Sequence, residues 1–259
     1  MPNPLDLLPR SRDAGLPRWV FCFPHAGGGG ALFYRWQRWL PADVALIPLR
    51  LPGREDRMRE PPYQSLTDLA DDAAEAIQSL PPRPFLLLGH SMGAYVAWEV
   101  ARRLEQHGEV LPARCVVAAC GAPRPRDPAT DISHLPDDKF IDEVIRRYEG
   151  IPEGVRDDPE LLALVVPPLR ADLRMIESYP CPAIAPIATD IAALGGTEDP
   201  SVAPHRLAEW GDWTSGEFRV EQFPGGHFFL HPPSRREAPA RTSVPAPLRT
   251  LFELLPEGA

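Results

Sequence analysis

The chain is short of several things, and each absence removes a class of function. No run of apolar residues reaches the length needed to cross a membrane. The first residues, "MPNPLDLLPRSRDAGLPRW", lack the apolar stretch of a signal peptide, so export is not expected and a cytoplasmic setting is. Positive charge is in deficit. Against 36 acidic residues stand 27 Lys and Arg, leaving a net charge of -9 and a pI near 5.3. Such a balance suits a soluble chain and disfavours general binding of nucleic acid. Cysteine is sparse: Cys22, Cys115, Cys120 and Cys181 are scattered, with no C-x-x-C pair. Three of them lie in or beside apolar runs and read as small buried hydrophobes in a reducing compartment.

What is present is enough for a sizeable core. Of 259 residues, 44% are hydrophobic, which fits one large α/β domain or two small ones. Short apolar runs recur at 19–23, 44–49, 84–89, 115–120, 187–196 and 218–223. The first five are apolar on both faces and read as buried strands. Helical patterns lie between them, at 31–40, 65–80 and 91–108. Ser65 or Thr67 is placed to cap the second, and Gly108 to end the third. Strand and helix alternate, which predicts a mostly parallel, doubly wound sheet in a single domain spanning 1–259.

One interval breaks the rhythm. Residues 124–182 carry no strand signal, only helical stretches such as "DDKFIDEVIRRY" and "DPELLALVVPPLRADLRMIESY". Too long and too apolar for a plain loop, the interval reads as a helical insertion packed over one end of the sheet. The segment "HPPSRREAPARTSVPAPLRTLFELL" is expected to begin disordered or extended and to end in a helix over 246–255.

The motif that carries chemistry is "PFLLLGHSMGAYVAWEVARRL". A buried strand runs into Gly89-His90-Ser91-Met92-Gly93, and an amphipathic helix follows at once. A serine at so tight a turn sits in a strained backbone, and side chains two positions away would collide with strand and helix, hence the glycines. The turn lifts the Ser91 oxygen out of the sheet. It also aims the first helix amides, starting with Met92, at the space above it. This arrangement resembles the nucleophile elbow of the α/β-hydrolase fold.

A serine hydroxyl needs a base, and the base needs an orienting group. His227, in "PGGHFFL" after the sixth run, can be presented by the Pro224-Gly225-Gly226 turn. The other histidines fit less well. His90 lies within the elbow and points away from the serine, His107 ends a helix, His134 lies in the insertion, and His205 starts a surface helix. His231 follows His227 by four residues, a spacing that can hold a metal on a helix. Pro232 and Pro233 follow it, however, and the sequence places no third ligand, so no metal site is expected. For the acid, Glu198 and Asp199 follow the fifth run in "GGTEDPSV". Asp199 is preferred because Pro200 fixes the turn after it. Asp190 would have to be buried mid-strand, and Asp212 is a weaker competitor. Asp199 could alternatively cap a helix beginning near Val202.

A second glycine cluster, "FPHAGGGGALFYRW", follows the first strand. It contains neither G-x-G-x-x-G nor a P-loop, and no lysine is near, so phosphate binding is not indicated. A hydrolase needs a second amide for its oxyanion hole from the loop after this strand. Ala26 N–H is the candidate, paired with Met92 N–H.

In order along residues 19–230, "FPHAGGGG", "IPLRLPGREDRMREPP", "GHSMGAYVAWEVA", "GGTEDP" and "PGGHFFL" together resemble the type II thioesterases, the stand-alone editing enzymes of nonribosomal peptide and polyketide synthases. The second of these stretches has no role that spacing alone reveals. The resemblance implies a triad of Ser91, Asp199 and His227, and a helical lid over 124–182. It implies no cofactor. The substrate implied is an acyl, aminoacyl or peptidyl thioester on the phosphopantetheine arm of an acyl or peptidyl carrier protein, handled by a monomer. One departure is visible: prolines interrupt the helix that usually closes such chains.

Carrier proteins of these synthases are usually acidic, so an acidic enzyme needs a local basic patch to meet them. Arg50, Arg54, Arg57 and Arg59 in one segment, and Arg124 and Arg126 where the insertion begins, are the candidates. The alternatives are a different α/β-hydrolase, such as a lipase, carboxylesterase or acyltransferase, and a non-catalytic carrier-binding protein.

Overall fold

A computed structural model describes residues 3–9, 15–36, 38–108, 110–148, 150–231 and 244–256. Six strands form its sheet: β1 (Arg18–Phe23), β2 (Val44–Pro48), β3 (Phe85–His90), β4 (Arg114–Ala118), β5 (Asp190–Gly196) and β6 (Phe218–Phe223). Their order is β2-β1-β3-β4-β5-β6, and every neighbouring pair is parallel. This is the expected mostly parallel sheet of an α/β-hydrolase fold.

The first five strands are buried on both faces because both are covered, whereas edge strand β6 buries only Phe223. In β1, Trp19, Phe21 and Phe23 enter one core and Val20 and Cys22 the other. The first core holds α2 (Leu66–Gln78) and α3 (Met92–His107); the second holds α8 (Ala246–Glu253) with Phe33 and Trp36. Leu86, Leu87 and Leu88 of β3 are fully buried. Each such side chain is worth about 1.5–3 kcal/mol of transfer free energy. All four cysteines are free thiols, three of them buried.

Local signals explain the helix ends. Ser65 caps α2 by accepting from Asp68 N–H at 3.2 Å. Gly108 closes α3 in the left-handed conformation, with φ 77°. The helix expected over 31–40 is cut short: α1 covers only Ala31–Tyr34, and tight turns follow as Phe33 and Trp36 drop into the core. The fifth strand begins at Asp190 rather than 187. Asp190 is thus its first residue, not a mid-strand one, and pairs with Arg114.

Between β4 and β5 lie α4 (Asp137–Tyr148), α5 (Glu153–Arg156) and α6 (Pro159–Glu177), with no strand among the described residues of 124–182. They bury a core of their own, built on Phe140, Val144, Leu169 and Leu173, and Ala26 packs against it. Pro167 and Pro168 sit inside α6. Their missing N–H groups leave the carbonyls of Ala163 and Leu164 without helix partners, and both residues are exposed, where water can serve. A short helix, α7 (Pro204–Ala208), follows β5. Most of the proline-rich segment before α8 lies outside the described residues.

Candidate active site

The loops that matter leave the carboxyl ends of adjacent strands. Phe23 aligns with Gly89, and Gly196 with Phe223, so the loops after β1, β3, β5 and β6 open at one edge of the sheet.

Ser91, between β3 and α3, has φ 55° and ψ -116°, a strained conformation for a residue with a side chain. Its N–H donates to Ala118 O at 2.8 Å, which ties the turn to the neighbouring strand. The flanking glycines are required by space. A Cβ on Gly93 would lie 2.0 Å from Phe23 O, and one on Gly89 would lie 2.1 Å from Gly93 O.

His227 Nε2 lies 2.9 Å from Ser91 Oγ, although 136 residues separate them. On the other side of the ring, His227 Nδ1 lies 2.9 Å from Asp199 Oδ2, and both side chains are buried. With Nδ1–H donating to the carboxylate, Nε2 is free to accept from the serine hydroxyl. Burial works to raise the pKa of Asp199, but hydrogen bonds and charge from His227, with further bonds from Ser201, outweigh it and hold the carboxyl below its ordinary value. Tyr148 of α4 rests its ring 5.4 Å from that of His227.

Rival residues are elsewhere. Glu198 is exposed, Asp190 is occupied with Arg114 and the Glu217 amide, and Asp212 sits exposed in a 3-10 turn. Helix α7 has Ala203 as its cap, so Asp199 does not cap it. His107 is bonded to Arg103 O, and His134 is exposed.

Ser201 escaped the sequence reading. Its hydroxyl donates to Asp199 Oδ1 at 2.6 Å and lies 2.9 Å from His227 Nδ1, while its N–H donates to the same carboxylate oxygen at 2.8 Å. The two-residue spacing of an Asx turn was the available signal.

Ala26 and Met92 both line the cavity above Ser91. No acceptor is found for Ala26 N–H among the described residues. Met92 N–H opens α3 and has no intrahelical partner. The neighbouring amide, Gly27 N–H, donates to Asp172 Oδ2 of α6 at 2.8 Å. Asp172 in turn receives both terminal nitrogens of Arg54, at 2.6 and 2.8 Å, and Arg54 also donates to Gly28 O at 3.0 Å. Glu55 accepts from Gly30 N–H and Ala31 N–H. Here the stretch "LPGRE" acquires its role: it holds the glycine loop from below. Arg54 and Arg57 are buried in such bonds, and Arg50 is paired with Asp56, so three of the four arginines of this segment, among the six expected to meet a carrier, are occupied.

The cavity measures about 800 Å³ and runs from Ser91, Met92 and His227 to the inner face of α6 at Leu169, Leu173 and Ile176. Its far wall includes Arg124 and Arg126, both exposed, with Arg126 paired to Asp131.

His231 does not form a helical pair with His227. It meets His25 and His90 instead, so a third imidazole is present that spacing could not place. His90 Nε2–H donates to the backbone carbonyl of His227 at 2.8 Å, pointing away from the serine as expected.

The family model described as "Thioesterase domain" matches residues 18–243. The gramicidin S biosynthesis protein GrsT of Aneurinibacillus migulanus is 39% identical over 212 residues, covering 82% of each chain. Among solved structures, the RedJ thioesterase from the prodiginine pathway of Streptomyces coelicolor is 32% identical, covers 95% of both chains and superposes with a TM-score of 0.80. YbtT, described as a type II thioesterase from the yersiniabactin NRPS/PKS pathway, is 35% identical, covers 86% of this chain and 90% of its own, and has a TM-score of 0.72.

Proposed function

The chain belongs to the thioesterase domain family of α/β-hydrolases, and from that premise we propose that it is a type II thioesterase in which Ser91, His227 and Asp199 cleave acyl groups from carrier-bound phosphopantetheine. The observation that carries this reading is the continuous line from Asp199 through His227 to Ser91, with both contacts at 2.9 Å.

In the reaction, His227 Nε2 takes the hydroxyl proton as Ser91 Oγ attacks the thioester carbonyl. The carbonyl oxygen gains the negative charge and lies between the amides of Ala26 and Met92. Collapse of that intermediate breaks the C–S bond, and His227 returns its proton to the departing thiolate. Water then attacks the acyl-serine with His227 again as base, releasing the acid and restoring Ser91. Asp199 holds the ring in the productive tautomer throughout, and Ser201 holds Asp199. Nothing in this sequence needs a cofactor.

The helices of 124–182 act as the lid. Leu169, Leu173 and Ile176 give the acyl chain an apolar wall, and Arg124 and Arg126 face the side from which a carrier would approach. Substrates are the stalled or wrong acyl, aminoacyl or peptidyl groups of a nonribosomal peptide or polyketide synthase, and the enzyme works as a cytoplasmic monomer.

The test is mass spectrometry of an acylated carrier protein before and after addition of the enzyme. The expected result is loss of the acyl mass with the phosphopantetheine retained, abolished by Ser91→Ala. An acyl group that persists with the native enzyme, or release that survives Ser91→Ala, overturns the reading. A parallel panel of acyl-CoA and p-nitrophenyl esters separates a general esterase from a carrier-directed enzyme.

A further inference from the structure

Three imidazoles meet beside the triad, each from a different part of the chain. His25 follows β1 and precedes Ala26, His90 ends β3, and His231 lies four residues past His227. Their ring centroids are 5.1 Å (His25–His90), 5.2 Å (His90–His231) and 5.9 Å (His25–His231) apart. One nitrogen from each lies within 4.8 Å of the other two.

The hydrogen bonds around the cluster leave ring nitrogens uncommitted. His90 Nε2–H is committed to the carbonyl of His227, which fixes its tautomer and leaves Nδ1 as an acceptor. A backbone carbonyl holding the outer ring nitrogen is a common second partner of metal-binding histidines. His90 Nδ1 lies 3.4 Å from His231 Nε2, a long contact for a hydrogen bond and a suitable span for two nitrogens sharing one ion. His25 Nδ1 is buried and has no hydrogen-bond partner among the described residues. An orphaned buried nitrogen needs an explanation, and an ion supplies one.

Phe33, Trp36 and Phe228 pack around the cluster, while His25 and His231 keep partial exposure through which an ion can enter. Arg54 and Arg35 are the charged groups that act on His25 and His231; Arg54 is neutralised by Asp172. Among the described residues no carboxylate belongs to the cluster, so the donor set is all nitrogen.

We propose that His25, His90 and His231 form a three-histidine site for a borderline divalent cation of the Zn²⁺ class, with water as a fourth ligand. Imidazole donors suit Zn²⁺, Cu²⁺ and Ni²⁺ and give no advantage to Mg²⁺ or Ca²⁺. The ion would join the loops after β1, β3 and β6 into one unit. This site does not depend on the thioesterase reading, since none of its ligands is assigned to the triad.

The experiment uses the full chain stripped with a chelator, then titrated with Co²⁺ and with Zn²⁺. Co²⁺ should bind once per chain with the intense visible absorption of a four-coordinate nitrogen site, and stoichiometric Zn²⁺ should displace it. Zn²⁺ should raise the thermal midpoint, because it binds the folded chain alone. His231→Ala should weaken binding on the order of 100-fold or more, at least as much as loss of an outer-shell partner does. His231→Gln repeats the test with similar volume, and circular dichroism checks folding of both. His227→Ala should retain the site. Failure of the native chain to bind Co²⁺ stoichiometrically overturns the proposal. So does binding that survives both His231 variants, or binding lost only in His227→Ala, which would place the ion on the catalytic base.

Discussion

Asp172, in the middle of α6, accepts the amide proton of Gly27 at 2.8 Å across 145 residues of chain. The same carboxylate binds the buried guanidinium of Arg54. One side chain therefore joins the helical insertion to the loop that carries Ala26. A shift of α6 would be felt one residue away at Ala26, the proposed oxyanion amide.

That coupling can be separated from simple stability. Asp172→Ala strands Arg54 as a buried charge and should cost about 3–5 kcal/mol, measured by urea unfolding. The paired replacement Arg54→Met with Asp172→Leu should recover most of that loss, because no charge is left unpaired. It leaves Gly27 N–H without its acceptor, so kcat should remain about tenfold or more below the native value, roughly the 1.4 kcal/mol expected from a misplaced donor. Full recovery of kcat with stability would show that Asp172 only supports the fold.

Asp199→Asn tests the orienting group. An amide at this position can donate to Nδ1, which forces the proton onto Nε2 and removes the acceptor that Ser91 needs. A loss of about 10⁴-fold in kcat is expected, with little change in KM. Ser201→Ala removes one of two bonds to Asp199 Oδ1 while the Ser201 amide keeps the other. It should cost only about 1 kcal/mol, roughly fivefold in kcat. A Ser201→Ala loss as large as that of Asp199→Asn would mean that the hydroxyl, not the carboxylate, orients the ring.

How much could be read from the chain depended on the range of the interaction. The first five strands were legible because both faces of each are covered, so each reads as a short apolar run; β6, at the sheet edge with one buried residue, shows only an alternating pattern between turn residues. The elbow was legible because its constraints are local: Gly89, Ser91 and Gly93 lie within five residues. Arg54 misled because a charge in a basic segment looks solvated, and its partner Asp172 is 118 residues away. His25 lies after β1, His90 at the end of β3 and His231 beyond β6, so no spacing along the chain brings them together. The helix at 31–40 was overstated because its aromatic residues satisfy a helical period and a buried turn equally well.

Gly93→Ala measures how tightly the elbow is packed. Its Cβ would sit 2.0 Å from Phe23 O, and its nearest neighbours are backbone atoms of Phe23 and Pro24, which cannot swing aside. A loss above about 4 kcal/mol is expected, a thermal midpoint lower by roughly 8–16 °C for a domain of this size. Gly108→Ala is the comparison: it has open space around its Cβ, and only its left-handed backbone opposes the change, at about 1 kcal/mol. Equal losses at the two positions would show that steric closure of the elbow is not what Gly93 provides.

Arg124 and Arg126 remain the basic residues best placed to meet a carrier protein, since both are exposed on the cavity wall while Arg54 and Arg57 are consumed by the fold. With a net charge of -9, the enzyme as a whole repels an acidic partner, so a local reversal at this wall should be felt first in the encounter. Arg124→Glu combined with Arg126→Glu should raise KM for an acylated carrier about tenfold at low salt, with the gap closing as ionic strength rises and screens both charges. A short acyl thioester of N-acetylcysteamine carries no carrier and should be slowed much less. The Asp131 carboxylate loses its Arg126 partner in this variant, so Asp131→Asn is added as a control that removes the freed charge. Equal slowing of the carrier-bound and the small substrate would mean that these arginines shape the cavity and do not dock a partner.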